Sequence, residues 1–335
     1  MAGGFVYNAI DQTEVATAEI YGKAIADIML NDPKVVAITA DLAKSTKLGD
    51  VLKVCPERVI NVGIAEQDMM GVAAGMAKAG MVPFVSGFSA FCSMRACDQL
   101  HTDICYQKAN VKIVATHSGT SFGQAGSTHH AITDLAITRA MPNLTVIVPA
   151  DGVETANAVN AAYATEGPFY IRINRGFDLV LNTTMDYGFE VGKAVTVNEG
   201  TDITVIACGS CVAQAKKAAE FLSNADGLSV RVLNMHTIKP IDKEAILKAV
   251  LETSRIITVE DHLVTGGLGS AVSEVVVDSG KACAFKMLGH QGFAMIGLQE
   301  DIMADAGIDA NGIIAAVREV MKKDFEEDDN WDDEY

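Results

Sequence analysis

Short apolar, β-branched runs alternate with longer stretches of small residues along most of this chain. Val35-Val36-Ala37-Ile38 reads as a strand, and so do Val82 to Val85, Val111 to Ala115 and Leu144 to Val148. Between them lie helical stretches such as Ala65 to Ala79 and Val153 to Ala164. The alternation predicts an α/β fold with a parallel, doubly wound sheet. Pro149-Ala150-Asp151-Gly152 closes one strand and opens a helix, with Asp151 as the expected N-cap.

The rhythm pauses between Phe177 and Gly200, where Asp, Asn and Gly accumulate, and then restarts with Ile203 to Ala207, Ser229 to Leu233 and Arg255 to Val259. Two mostly parallel-sheet domains are therefore expected, residues 1–185 and 191–323, with the boundary near Leu181–Val191. Residues 324–335 read as a disordered acidic tail, too polar to bury a core. Its Trp331 is either a partner anchor or part of a solvated tail. No short-period repeat occurs.

Composition adds limits. A chain of 335 residues with 49% hydrophobic content can build two cores. Few aromatics and many small residues suit helices packed close on a buried sheet. The formal net charge of −17 argues against a nucleic-acid partner, although eight carboxylates between Asp324 and Glu334 supply much of it. Seven cysteines in apolar surroundings point to reduced thiols and a cytoplasmic protein. Cys208-Gly209-Ser210-Cys211 has redox spacing at a strand-to-helix turn, but two packing cysteines are the expected reading. No signal-peptide pattern and no run of 18 apolar residues occurs, so no membrane role is expected. The GxxxG spacing of Gly71 and Gly75 is expected to serve close helix packing.

Three segments could carry chemistry. Glu66, in Gly63-Ile64-Ala65-Glu66-Gln67, stands at a helix start ahead of the apolar Met69 to Met76. It is either a residue favoured there by the helix dipole or a buried acid of raised proton affinity. Phe88 and Phe91 follow a strand, where rings either stack on a planar heterocycle or fill the core. The third segment begins Thr116-His117-Ser118-Gly119 and continues Phe122-Gly123-Gln124-Ala125-Gly126-Ser127-Thr128-His129-His130. A glycine-rich loop leaving a buried strand with three histidines suits a polar ligand and proton transfer. Metal binding is the weaker reading, since the loop holds no carboxylate or cysteine.

In this order, Gly-Ile-Ala-Glu-Gln, Pro83 to Phe91, Val114 to Gly119, Gly126-Ser127-Thr128-His129, Met141-Pro142-Asn143 and Val148 to Gly152 resemble the C-terminal section of transketolases. Asn234 to Pro240 and Gly266-Gly267-Leu268-Gly269-Ser270 resemble that family's last domain, so the likeness runs from about Ala16 to Met321. The resemblance implies a pyrimidine-binding domain for thiamine diphosphate followed by the transketolase C-terminal domain. By it, Glu66 matches the glutamate that bonds N1′ of the aminopyrimidine. Phe88 and Phe91 match the aromatics around that ring, and Asp41 matches a residue lining the cofactor site. His129 matches a histidine near the reaction centre. His117, Ser45 and Arg175 match residues holding the far, phosphorylated end of the sugar. Without the resemblance, Arg172 and Arg175 read as surface ion-pair residues.

The sequence also departs from the pattern. No Gly-Asp-Gly occurs, so the diphosphate and its Mg2+ (or Ca2+) are expected on a second, N-terminal-half chain, most simply in an α2β2 heterotetramer. The Gly266 to Ser270 turn is a weak phosphate candidate. The family's Ala-Thr-Arg reads Ala16-Thr17-Ala18, and its Gly-Glu-Asp-Gly reads Gly123-Gln124-Ala125-Gly126. A grip on phosphate and a contact to a sugar hydroxyl are thereby lost, and an atypical sugar or sugar phosphate is expected. The competing expectations are a 2-oxoacid dehydrogenase beta subunit, a 1-deoxyxylulose 5-phosphate synthase-like enzyme, and a non-catalytic scaffold or regulatory subunit.

Overall fold

The computed structural model describes residues 14–181 and 187–322. The acidic tail and part of the expected domain boundary fall outside the described residues. The strands are β1 (Glu14–Ala16), β2 (Val35–Thr39), β3 (Val59–Asn61), β4 (Val82–Phe88), β5 (Lys112–Thr116), β6 (Thr145–Ile147) and β7 (Phe169–Arg172) in the first half. They continue as β8 (Phe177–Leu179), β9 (Val195–Asn198), β10 (Ile203–Ala207), β11 (Val230–Asn234), β12 (Thr237–Lys239), β13 (Arg255–Leu263) and β14 (Ala284–His290). β1 and β8 pair with each other.

The first large sheet has the order β12-β6-β7-β5-β4-β2-β3. From β6 to β3 every pairing is parallel. β2, β5 and β7 are buried along their whole length, as expected of strands covered by helices on both faces. The second sheet has the order β14-β13-β10-β11-β9, parallel except at β9. The expected fold class of two doubly wound, mostly parallel sheets holds.

One strand crosses between the halves. β12 follows the second sheet's β11 yet pairs antiparallel with β6 of the first. Apolar residues of both halves, among them Val148, Leu233, Met235, Ile238 and Leu268, then form one buried cluster.

Local expectations fare unequally. Asp151 is the N-cap of helix Gly152–Ala164, accepting from the Glu154 amide at 2.8 Å. The GxxxG reading holds only in part: a Cβ at Gly71 would stand 3.8 Å from Asp103 Oδ2 in the helical segment Leu100–Tyr106, whereas Gly75 has no atom within 4 Å of the place a Cβ would occupy, and the face that helix Glu66–Lys78 buries is Met69, Met70, Ala73 and Ala74. Cys208 and Cys211 are buried free thiols, and burial pushes both upward in pKa, as packing cysteines would be. Among the described residues no helix is long and apolar enough to cross a membrane.

Candidate functional site

The order β3-β2-β4 reverses the direction of chain progression, and the crevice at such a switch point is where α/β sheets bind ligands. Loops leaving β2, β3, β4 and β5 meet there. Three residues besides glycine take left-handed backbone angles in these loops: Asp41 (φ 60°), Lys47 (φ 63°) and His117 (φ 58°). Such strain persists where surrounding structure enforces it, often at functional sites.

Five rings form one cluster. Phe88, the last residue of β4, packs its ring 3.9 Å from that of His117 and 5.7 Å from that of Phe91. His129 lies 5.3 Å from Phe91 and 5.5 Å from Phe122, and Phe122 lies 5.1 Å from His117. In the sequence nothing distinguishes Phe122 except its place in the histidine loop; its role in the cluster comes from the fold.

Glu66 closes one end of this row. It opens helix Glu66–Lys78 and is 2% exposed. Arg95 Nη1 donates to both Glu66 oxygens at 3.0 Å, and the same guanidinium lies 4.1 Å over the Phe91 ring. A π-helical turn, Phe91–Arg95, sets this geometry; its wider winding is common at functional sites. Sequence reasoning missed Arg95 because nothing in the sequence announces a π turn. Glu66 and Arg95 also line an open cavity of ≈ 760 Å³ with Ile64, Gln67 and Gln99.

Arg175 closes the other end. It is exposed, and its guanidinium lies 4.7 Å over the Phe122 ring. His117 is 5% exposed, with Nδ1 2.9 Å from Thr116 Oγ1. Burial, then the charges of Arg175, His129 and Lys47, push its pKa down to about 3. His117 is therefore neutral at pH 7 and offers hydrogen bonds rather than charge. Lys47 pairs with Glu19 at 3.1 Å. Ser45 is exposed on the loop after β2. Asp41 is also exposed: its amide donates to Asn61 Oδ1 at 2.9 Å, and that oxygen also accepts from the Gly63 amide at 3.0 Å. Asp41 thus belongs to the approach to Glu66.

Arg172 is corrected from a surface ion pair to a buried one. Its Nε donates to Asp134 Oδ2 at 2.8 Å, and the two side chains are 4% and 0% exposed. The Gly266 to Ser270 phosphate candidate is also corrected. Glu260 accepts from the amides of Leu268 at 2.6 Å and Gly269 at 2.7 Å. The start of helix Leu268–Ser279 is thus already filled by an internal carboxylate. Gly267 permits this approach, since a Cβ there would stand 1.9 Å from Glu260 Oε2.

Comparison with known proteins agrees with the geometry. The transketolase pyrimidine-binding domain model matches residues 13–177, and the transketolase C-terminal domain model matches residues 192–313. A subunit of the apulose-4-phosphate transketolase of Phocaeicola vulgatus is 36% identical over 310 residues, covering 92% of this chain and 98% of that protein. The 6-deoxy-6-sulfo-D-fructose transketolase subunit SqwH of a Clostridium species is 35% identical, covering 91% and 94%. A solved structure described as a split gene transketolase, inactive beta4 tetramer, superposes with a TM-score of 0.83 at 40% identity, covering 92% of this chain and 98% of that one. These matches, running through both sheets, show that the chain belongs to the transketolase family as a C-terminal section.

Proposed function

We propose that this chain is the C-terminal subunit of a split, thiamine diphosphate-dependent transketolase that moves a two-carbon ketol unit from an atypical ketose to an aldose. The observation that carries the reading is the row from buried Glu66 through Phe91, Phe88 and His129 to His117 and Arg175 along one crevice.

The row fits the pyrimidine half of the cofactor: a buried carboxylate is joined through Arg95 to the Phe91 ring, which lies 5.7 Å from that of Phe88. Bound there, thiamine diphosphate would supply the atom that stabilises the carbanion left when the ketose bond breaks. Glu66 would share a proton with N1′ of the pyrimidine, and Phe88 and Phe91 would hold the ring. His129 would hydrogen-bond the reacting oxygen. Neutral His117 and exposed Ser45 would bind sugar oxygens, and Arg175, assisted by Lys47, would attract an anionic end group. Asp41 would act through Asn61 on the Glu66 loop.

The diphosphate and its Mg2+ (or Ca2+) fall to a partner chain carrying the Gly-Asp-Gly absent here, most simply in an α2β2 assembly. A related chain that assembles with itself is described as inactive, which supports dependence on a partner. The relatives named for apulose 4-phosphate and for a sulfo-sugar support an atypical donor, in keeping with Ala18 and Ala125. A second reading rests on the 1-deoxy-D-xylulose-5-phosphate synthase of Heliobacterium modesticaldum, 32% identical over 335 residues but matched over only 51% of its length.

Co-expression with the partner chain, thiamine diphosphate and Mg2+ tests both. Ketol transfer should need both chains, and Glu66→Gln should lower it by about 10² to 10⁴-fold while the complex still elutes at its assembled size. Wild-type rates in that variant would sink the assignment of Glu66. Pyruvate consumption would favour the second reading, and ordinary efficiency with xylulose 5-phosphate would remove the claim of altered sugar choice.

A further inference from the structure

The loop 117–131 that carries His117, Phe122 and His129 is held from the far side by the second sheet. Asp261, in β13, is 5% exposed and accepts from the Thr120 amide at 2.9 Å and from Thr120 Oγ1 at 3.0 and 3.1 Å. His290, in β14, places Nε2 2.9 Å from Asp261 Oδ1. The loop is shaped to receive this carboxylate. Gly119 has φ +54°, and a Cβ there would stand 2.2 Å from Asp261 Oδ2. Arg172 ties the loop's end to the same strand, donating to the carbonyls of Ala131 at 2.8 Å and Asp261 at 3.0 Å. The Leu263 amide completes the seam on the Ile132 carbonyl at 2.9 Å.

None of Asp261, His290 or Thr120 belongs to the ring cluster, so their effect on it passes through the backbone of the loop. Thr120 stands three residues from His117 and two from Phe122. A carboxylate that accepts both the amide and the hydroxyl of one residue fixes that residue's position and its peptide plane. That in turn fixes the left-handed turn at His117 and Gly119.

We infer that Asp261, braced by His290, is a positioning residue through which the C-terminal domain sets the geometry of the substrate loop. The inference rests on the reading that this loop binds substrate. It gives the second domain a part in sugar recognition without any contact to sugar or cofactor.

The test uses the complex with the partner chain and two mild variants, Asp261→Asn and Thr120→Val, beside Asp261→Ala. The expected result is a KM for the ketose raised about tenfold, with kcat changed less than threefold and thiamine diphosphate affinity by calorimetry unchanged. Thr120→Val should show the same split, since it removes only the hydroxyl. Hydrogen exchange of the isolated chain gives a readout independent of turnover: Asp261→Asn should speed exchange at Thr120 and through residues 117–131, and leave β4 and helix Glu66–Lys78 protected. Equal losses in KM, kcat and global protection would mark Asp261 as merely structural and overturn the inference. So would unchanged KM with unchanged loop exchange. If the wild-type complex transfers no ketol unit from any sugar, the functional reading fails instead, and loop exchange alone decides whether the clamp exists.

Discussion

The two parallel sheets share an architecture and differ at their carboxyl edges. In the first, the loops after β2, β3, β4 and β5 leave rings, histidines and cations facing a crevice, with strained backbone at Asp41, Lys47 and His117. In the second, the corresponding edge is closed by its own side chains: Glu260 fills the start of helix Leu268–Ser279 and Asp261 is engaged by Thr120. A buried polar group needs a partner, and when the chain supplies that partner no ligand is required. The open edge is thus the candidate site, and the closed one supports it.

The comparison breaks first at Glu66. If the open edge is the catalytic one, Glu66→Gln should lower ketol transfer by about 10² to 10⁴-fold, the usual range for losing an acid–base group, with assembly intact by size-exclusion chromatography. Glu260→Gln, the matching change at the closed edge, should leave transfer within about threefold, since its contacts, the amides of Leu268 and Gly269 and His262 at 3.7 Å, all lie outside the ring cluster.

Titration separates the two edges by sign. Burial raises Glu260 to about 7 from 4.5. The folded state then holds a proton that the unfolded state has lost, so stability falls as pH rises from 4.5 to 7. The shift corresponds to about 3 kcal/mol, and Glu260→Gln should flatten that part of the stability profile in urea titrations. His117 runs the other way. With a folded value of about 3 against 6.5, its contribution is complete above pH 6.5 and is lost as pH falls toward 3. A profile unchanged by Glu260→Gln would show that the helix start is not closed by a buried acid.

How much of this is legible in the sequence follows from the range of each signal. β10 is expected at Ile203 to Ala207 and is found there, because a five-residue apolar run between helices is a local property. The Asp151 cap and the helix start at Glu66 are legible for the same reason. β12 is not: three residues that pair with a strand some 90 positions earlier in the chain leave no periodic trace. Arg172 looks like a surface ion-pair residue because its partners, Asp134 and the carbonyl of Asp261, come from distant parts of the chain. The Gly71 and Gly75 spacing misleads at Gly75, which is open, since the helix buries its methionine face. At the site, residues carried by contiguous motifs are visible in sequence. Arg95, Phe122, Lys47 and Asp261 make contacts with segments distant in the chain, and these are not.

At the distal end of the open edge, burial and then the nearby cations Arg175 and Lys47 lower the pKa of His117. Arg175→Ala removes a guanidinium stacked 4.7 Å over Phe122, and Lys47→Met removes the amine paired to Glu19. A charge-assisted hydrogen bond is worth about 1.5–3 kcal/mol. Arg175→Ala should therefore raise KM for anion-terminated donors about tenfold to a hundredfold and spare neutral ketoses. Lys47→Met should have the smaller effect, because Glu19 already engages that amine. Equal losses for charged and neutral donors would assign both residues to folding rather than to recognition.

The smallest effect is expected at Arg95, where the open edge is partly closed. One guanidinium bonds both oxygens of Glu66 and covers the face of Phe91, the two contacts that the pyrimidine reading assigns to the cofactor ring. Arg95 is half exposed, so solvent weakens its ion pair to about 1 kcal/mol or less. Its flat, cationic group can leave Glu66 at little cost when a competing ring arrives. Arg95→Ala should then tighten thiamine diphosphate binding to the assembled complex by about threefold to fivefold in calorimetry. Weaker binding in Arg95→Ala would mean that the guanidinium stays and helps hold the ring. In that case the open edge is preformed around Glu66 and needs no displacement.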